Sequence, residues 1–389
     1  MSGPGAEVAF RRHGGRTGSG PGAPGRGHRL ENVPLLPPRR PPRSRGALTN
    51  REGRYEALRR LPEPSGESGE EAPRPPTRVT PERTRRILSR NDSPDVPFDQ
   101  SVNPYKGCEH GCVYCFARPT HAYLGLSPGL DFETRIVSKP EAPDRLECEL
   151  GRPGYTCRVL ALGANTDPYQ PVEREQRVTR GILERLAALE HPVSVVTKSD
   201  LVLRDLDLLA PMARKRLASV FVSVTSLDPV LARRMEPRAP TPERRLRAVR
   251  ELHGAGVPVG VLASPMIPAL NDAELEGILE ECAVAGARWA RYILLRLPLE
   301  VKELFAEWLE AEYPDRAARI LGLVRETRGG ALYRSGWGER MRGTGRYAEL
   351  LESRFAVACR RLRLNVEPVE LDTTRFRGAR AGTQLELFR

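Results

Sequence analysis

The stretch Gly107-Cys108-Glu109-His110-Gly111-Cys112-Val113-Tyr114-Cys115 holds three of the seven cysteines of this 389-residue chain. Their spacing is C-x3-C-x2-C, with an aromatic residue directly before the last cysteine. Three thiolates can hold three irons of a [4Fe–4S] cluster, whereas most iron–sulfur proteins use four cysteines for each cluster. A metal site with three protein ligands keeps one coordination position open for a substrate. The stretch therefore predicts a reactive metal site with Cys108, Cys112 and Cys115 as ligands.

The composition predicts a globular cytoplasmic protein. Apolar residues make up 39% of the chain and charged residues 29%, and the length is sufficient for a sizeable core. Prolines interrupt the longest apolar stretch, 257–270, and the N-terminus shows no apolar signal region, so we expect neither a membrane span nor secretion. Three cysteines in one loop do not form a secreted disulfide framework, and metal-binding thiolates need a reducing compartment.

Residues 1–78 are rich in Gly, Pro, Arg and Glu, which predicts a disordered arm. The net charge of the chain is +12, and residues 1–50 supply nine arginines against two glutamates. A basic arm can contact the phosphates of nucleic acid, although a solvated tail without a role explains the composition equally well.

Beyond Thr80, short apolar runs alternate with helical stretches, which is typical of βαβ units and a parallel sheet. The six runs are 100–103, Arg158–Leu162, Val193–Thr197, Ser219–Thr225, Pro258–Leu262 and Tyr292–Leu297. We therefore predict an α/β fold with an open, partial (β/α)6 barrel over residues 79–299. Three helical stretches indicate a helical C-terminal cap over 300–366, followed by a flexible tail, 367–389.

Polar residues follow several of these runs. In βα barrels the active site is built at the C-terminal ends of the strands. Asn165 and Thr166 follow the second run, Lys198 follows the third, and Ser223 belongs to the fourth. We expect these side chains to face the cysteine loop.

The cysteine motif on the first βα loop of a partial barrel resembles that of the radical S-adenosylmethionine (SAM) superfamily. The resemblance implies a [4Fe–4S] cluster and SAM as cofactors, reductive cleavage of SAM by an unidentified electron donor, and hydrogen abstraction from a substrate. The alternative from the residues themselves is a structural zinc site with His110 as a fourth ligand.

Within that superfamily, about residues 100–360 are similar to the branch of spore photoproduct lyase and nearby uncharacterised bacterial proteins. The similarity implies that Lys198 contacts the SAM carboxylate, since an ammonium group at a strand end pairs with a carboxylate. It also implies that Ser223 and Thr166 touch SAM, with Asn165 as a further candidate, and that Tyr114 lies near the adenine.

One position departs from the lyase pattern. The hydrogen-donor cysteine of that family corresponds to Ala164, so the same reaction on the same thymine dimer is in doubt. We expect a radical SAM enzyme acting on nucleic acid, in DNA-lesion repair or modification. The alternatives are a radical SAM enzyme that modifies protein or tRNA, and a non-catalytic Fe–S protein bound to DNA or to the sliding clamp.

A second motif, Gln384-Leu385-Glu386-Leu387-Phe388, ends the chain. It resembles the short peptide with which bacterial repair and replication proteins bind the sliding clamp. Gln384 can supply hydrogen bonds, while Leu385, Leu387 and Phe388 can fill an apolar pocket. The alternative is that these residues pack back on the domain as a final strand.

Overall fold

Two β-sheets and twelve α-helices form the part of the chain that the computed structural model describes, residues 45–56 and 76–378. The strands are β1 Arg78–Pro81, β2 Leu88–Arg90, β3 Gln100–Val102, β4 Tyr105–Lys106, β5 Arg135–Ser138, β6 Leu160–Leu162, β7 Val193–Thr197, β8 Ala218–Ser223, β9 Val259–Met266 and β10 Trp289–Leu294. The helices are α1 Leu130–Thr134, α2 Ala142–Leu150, α3 Glu173–Gln176, α4 Val178–Ala188, α5 Leu206–Arg214, α6 Pro229–Met235, α7 Pro242–Gly254, α8 Leu275–Val284, α9 Val301–Glu312, α10 Pro314–Glu326, α11 Glu339–Arg342 and α12 Arg346–Arg361. Short 3-10 helices cover Arg118–Leu124, Asp200–Asp205 and Asp272–Glu274.

The main sheet has seven strands in the order β10-β9-β8-β7-β6-β3-β2. The six strands from β3 to β10 in this order run parallel, and β2 adds an antiparallel edge. Each predicted apolar run overlaps one of the six parallel strands. The predicted α/β fold with an open arrangement of six parallel strands and a helical C-terminal part is thus confirmed.

Helices such as α4 cover the sheet because they have one apolar face. In α4, for example, Ile182, Leu183 and Leu186 are fully buried against the sheet strands, where Val195 and Val220 are also fully buried. Burying such side chains contributes about 1.5–3 kcal/mol each and fixes the register of the strands. Because these strands are parallel, their carboxyl ends lie along one edge of the sheet, where the active site of a βα barrel is built.

A second, three-stranded sheet, β1-β5-β4, carries the entry to the cysteine loop. Tyr105 and Lys106 of β4 pair with Ser138 and Val137 of β5 directly before Gly107. The sequence predicted a loop that follows the first strand of the barrel; the structure adds this short strand between them.

Two predicted boundaries need correction. The arm prediction for residues 1–78 is wrong for 45–56, because Arg45 and Ala47 are buried against the cysteine loop, and β1 begins at Arg78. The flexible-tail prediction is wrong for 367–378, because Phe376 packs on the rings of Tyr155 and His191. Residues 1–44, 57–75 and 379–389, with the clamp-like motif, lie outside the described residues.

No helix in the two described ranges combines the length and apolar character that a membrane span requires.

Candidate active site

The cysteine loop is fixed by backbone hydrogen bonds to two helical segments. Cys108 N donates to Phe132 O of α1 (2.9 Å), and Val113 N donates to Met235 O of α6 (3.0 Å). Gly107 and Gly111 have φ angles of 80° and 69°, in the left-handed region that favours glycine. The loop can therefore turn twice within nine residues and direct its cysteines inward.

The three predicted cluster ligands lie in one buried environment. Cys108 and Cys112 are buried and Cys115 is half-buried. Burial raises the pKa of each of the three thiols, and the charges of Cys112 and Cys115 raise the pKa of Cys108 further. Three thiols this close together can bind an iron–sulfur cluster, and each thiol loses its proton when it binds iron.

Cationic side chains face the same thiols. Lys198 lowers the pKa of Cys112 and Cys115, although burial outweighs it, and Arg118 acts in the same direction on Cys115. Positive charge beside a thiol favours the thiolate, which is the form that binds metal.

The loop is also held from behind by a buried ion pair. Arg118 Nε donates to Cys112 O (2.9 Å), and Arg118 Nη2 lies 2.5 Å from Glu133 Oε1. The Glu133 carboxylate also accepts hydrogen bonds from Gly46 N (2.9 Å) and Ala47 N (2.8 Å). Residues 45–56, here called the strap, are thus joined to the cysteine loop through Glu133. Nothing in their Gly- and Arg-rich composition predicted this contact.

The strap approaches the cysteine loop closely. A Cβ atom on Gly46 would lie 1.8 Å from Gly111 O, which only a glycine avoids. Further along, Asn50 Nδ2 donates to Asp131 Oδ1 (2.9 Å), and Arg54 Nε lies 2.8 Å from Glu300 Oε1. The strap therefore covers one flank of the loop.

A buried carboxylate gathers several of the predicted SAM-binding residues. The hydroxyls of Tyr114 and Thr225 both donate to Glu236 Oε1, the latter at 2.7 Å, and Arg245 pairs with Glu236 Oε2. Lys198 Nζ lies 3.8 Å from Glu236 Oε1 and 5.9 Å from the centre of the Tyr114 ring. Burial raises the pKa of Glu236, while Arg245 opposes that rise. The sequence predicted Tyr114 and Lys198 as site residues but assigned no role to Thr225, Glu236 or Arg245.

The other predicted site residues are Ser223, at the end of β8, and Asn165 and Thr166, in the loop after β6. Ser223 is buried, and its carbonyl oxygen accepts a hydrogen bond from Arg245 Nη1 (3.1 Å). Asn165 N donates to Asn103 Oδ1 (2.9 Å), and Thr166 Oγ1 donates to Tyr105 O (3.0 Å). The structure therefore brings Tyr114 and Lys198 together at Glu236 and links the Ser223 backbone to them through Arg245, whereas Asn165 and Thr166 brace the entry to the cysteine loop.

Asp167 links the two groups. Its carboxylate accepts hydrogen bonds from Lys198 N (2.7 Å) and Thr197 Oγ1 (2.7 Å), and it lies 3.3 Å from His110 Nδ1. Burial alone raises the pKa of Asp167, but His110 and these donors lower it to about 2. Asp167 is thus a fixed negative charge between the cysteine loop and the end of β7.

The donor set fits a cluster better than a single zinc ion. Within the described residues, no group of three or more His, Cys, Asp or Glu side chains surrounds one ion position. His110, the proposed fourth zinc ligand, directs Nδ1 at Asp167. In a cluster each thiolate binds a different iron, so the three sulfurs need not converge on one point.

The other four cysteines lie away from this edge. Cys148 is on α2, Cys282 on α8 and Cys359 on α12, and Cys157 precedes the amino end of β6. Cys282 and Cys359 belong to the apolar core. Within the described residues, none of these four thiols therefore lies beside Ala164.

Comparison with known proteins agrees with this geometry. A family model described as the Radical SAM superfamily matches residues 102–282. An uncharacterised protein of Mycobacterium tuberculosis (strain ATCC 25618 / H37Rv) is 40% identical over 232 residues, which is 59% of this chain and 68% of that protein. An uncharacterised protein of Methanocaldococcus jannaschii is 29% identical over 216 residues, 55% of this chain and 76% of that protein.

Among solved structures, spore photoproduct lyase complexed with dinucleoside spore photoproduct has a TM-score of 0.52 and 17% identity, covering 73% of this chain and 79% of that one. A mutant of the same lyase with bound AdoMet and dinucleoside spore photoproduct gives the same values. At this identity the likeness is one of fold.

Proposed function

Because this chain belongs to the radical SAM superfamily, whose cofactors are a [4Fe–4S] cluster and SAM, we propose that it cleaves SAM reductively and abstracts hydrogen from nucleic acid. The single observation that carries the cofactor assignment is the gathering of Lys198 and Tyr114 around Glu236, next to Cys112. The protein positions and shields its cofactors, and the radical chemistry is theirs.

Each residue has a stated part in the proposal. Cys108, Cys112 and Cys115 hold the cluster as thiolates. Lys198 offers an ammonium group for the SAM carboxylate, and Glu236 keeps that ammonium in place by charge. Tyr114, whose hydroxyl is anchored on Glu236, presents its ring face for the adenine.

Support for nucleic acid as the substrate comes from three observations. The chain carries a net charge of +12, its fold is like that of a lyase solved with a dinucleoside lesion, and its C-terminus resembles a clamp-binding peptide. Ala164 argues against the lyase reaction itself, because a product radical there meets no thiol. We therefore favour a modification, or a repair in which another group returns the hydrogen.

The cofactor part is tested by anaerobic reconstitution followed by iron and sulfide analysis and a dithionite-driven assay for 5′-deoxyadenosine. We expect about four irons and four sulfides per chain, and loss of both cluster and product in Cys112→Ala. Lys198→Gln should keep the cluster but weaken SAM binding about tenfold or more, since it removes a charge-assisted hydrogen bond. Lys215→Gln, a change of the same kind at the opposite edge of the sheet, is the matched control.

The substrate part needs a separate assay. Deuterated DNA, RNA and peptide pools are incubated with unlabelled SAM, and the deuterium that enters 5′-deoxyadenosine is measured by mass spectrometry. Transfer from DNA supports the proposal, and transfer from RNA or peptide favours the modifying alternatives. A cluster that never cleaves SAM would leave a non-catalytic Fe–S protein that binds DNA or the clamp.

A further inference from the structure

A basic cleft opens beside the cysteine loop. It lies between the loop after β6, the end of β7 and the start of α7. The residues that line it include His110, Tyr169, Arg174, Ser199, Arg238 and Arg244. His110 stands between Cys108 and Cys112 in the sequence, so the floor of the cleft is part of the cysteine loop itself.

The charge of the cleft is positive. No acidic side chain is among its lining residues, and Arg174 at its rim is exposed. Arg238 lies 3.1 Å from Glu109, and Arg244 lies 2.7 Å from Asp200. Both carboxylates are buried beneath the guanidinium groups, so the surface presented to solvent is cationic.

The cleft has few features of a nucleic-acid site. Proteins that bind single strands offer exposed aromatic rings on which bases stack. The aromatic residue of this cleft, Tyr169, is fully buried and donates its hydroxyl to Asp205 (3.0 Å).

We infer that this cleft is the docking surface for the electron donor, an acidic one-electron carrier protein such as a flavoprotein. The inference rests on the proposed function, because a cluster that cleaves SAM must first be reduced. One electron leaves the donor, which is oxidised, and enters the cluster, which is reduced. Electron transfer through protein weakens steeply with distance, and a partner docked over this cleft would lie above His110 of the cysteine loop. Opposite charges then steer the two proteins together.

The experiment compares Arg174→Glu with Arg360→Glu, an equal charge reversal at an exposed position of α12. The first readout is the affinity of the reconstituted protein for labelled flavodoxin, a small acidic flavoprotein, measured by fluorescence anisotropy. We expect Arg174→Glu to raise the Kd about fivefold or more at low salt. The difference should vanish near 1 M salt, where the Debye length is about 3 Å. Arg360→Glu should bind flavodoxin like the wild type.

The second readout is the rate of 5′-deoxyadenosine formation with two reductants. With reduced flavodoxin the rate of Arg174→Glu should fall with its affinity; with reduced methyl viologen, a small cation that needs no docking site, it should equal the wild-type rate. If the wild type makes no 5′-deoxyadenosine with viologen, the proposed function fails. If the wild type is active but Arg174→Glu and Arg360→Glu behave alike with flavodoxin, the docking surface is overturned.

Two further results count against the docking surface. One is an equal loss with both reductants in Arg174→Glu, which would indicate damage to the cofactor site. The other is weaker DNA retention by Arg174→Glu with unchanged flavodoxin binding, which would make the cleft a phosphate-binding surface.

Discussion

The two flanks of the cysteine loop differ in how their charges are satisfied. On the strap flank, Arg118 and Glu133 are fully buried and paired, and strap backbone amides complete the hydrogen bonds of the carboxylate. On the cleft flank, Arg238 and Arg244 pair with the buried acids Glu109 and Asp200 but remain in contact with solvent, and Arg174 is exposed. The first arrangement gives the loop one shape, because breaking a buried pair is costly; the second contributes little to stability and leaves charge for a partner. The same loop is thus held by a buried ion pair on one flank and lies beneath solvent-accessible arginines on the other.

The largest effect is expected at Glu133. Glu133→Gln leaves the Arg118 guanidinium buried without a counter-charge, so the free energy of unfolding should fall by about 3–5 kcal/mol. Urea denaturation of the cluster-free protein measures it. Glu307→Gln is the control, because Glu307 binds the strap at the surface through Thr49 and Arg51 and should cost less than about 1 kcal/mol. Equal losses in both variants would contradict the distinction between the two kinds of contact.

A smaller effect is expected at Gly46. The Cβ of Gly46→Ala collides with the backbone of Gly111, which should cost about 1–3 kcal/mol and loosen the strap. Hydrogen exchange at the amides of Gly46 and Ala47, which bond Glu133, should then become faster. Gly322→Ala, where an added Cβ meets open space on α10, should leave exchange in the strap unchanged. Unaltered protection in Gly46→Ala would mean that the strap does not depend on this close approach.

Acid should weaken the strap flank through His121. Burial lowers the pKa of His121 to about 4 from an ordinary value of 6.5, and its Nε2 faces Arg135 O at 3.0 Å. Between pH 6.5 and 4 the unfolded chain therefore holds a proton that the folded chain lacks. The free energy of unfolding is therefore highest, as far as this group is concerned, above pH 6.5. It falls by about 1.4 kcal/mol per pH unit as the pH decreases from 6.5 to 4. In His121→Gln, this part of the slope of unfolding free energy against pH should be absent.

The control for this slope is His253→Gln, at an exposed position of α7, which leaves the buried His121 in place. A slope in His121→Gln as steep as that of the wild type would show that His121 can be protonated within the fold.

The smallest effect is expected at the cleft. Arg174→Gln should change the free energy of unfolding by no more than about 0.5 kcal/mol, since exposed positions away from special contacts tolerate substitution. Thermal denaturation beside the wild type is sufficient to detect a larger change. A loss comparable to that of Glu133→Gln would mean that the cleft, too, is part of the framework of the loop.

Periodicity and spacing predicted the sheet and the cluster ligands because both depend on residues close in sequence. The apolar run Val193–Thr197 predicts a strand without any information on the segments that pack against it. Three cysteines within eight residues must likewise lie close together. The strap could not be predicted in this way. Gly46 is 87 residues from Glu133, and a Gly- and Arg-rich segment has no periodic pattern that reveals such a partner. Glu236 was missed for the same reason: its role depends on Tyr114, 122 residues away.

The end of the described chain is anchored on the far edge of the barrel. Arg377 N donates to Leu189 O (2.9 Å) before β7, and Asp372 N donates to Arg216 O (2.8 Å) before β8. Gly378 thus starts from the amino-terminal edge of the sheet, whereas the cysteine loop is at the carboxyl-terminal edge. Gln384 follows six residues later, within a reach of about 20 Å. A sliding clamp bound to this motif would therefore contact the protein at the edge of the sheet opposite the cysteine loop.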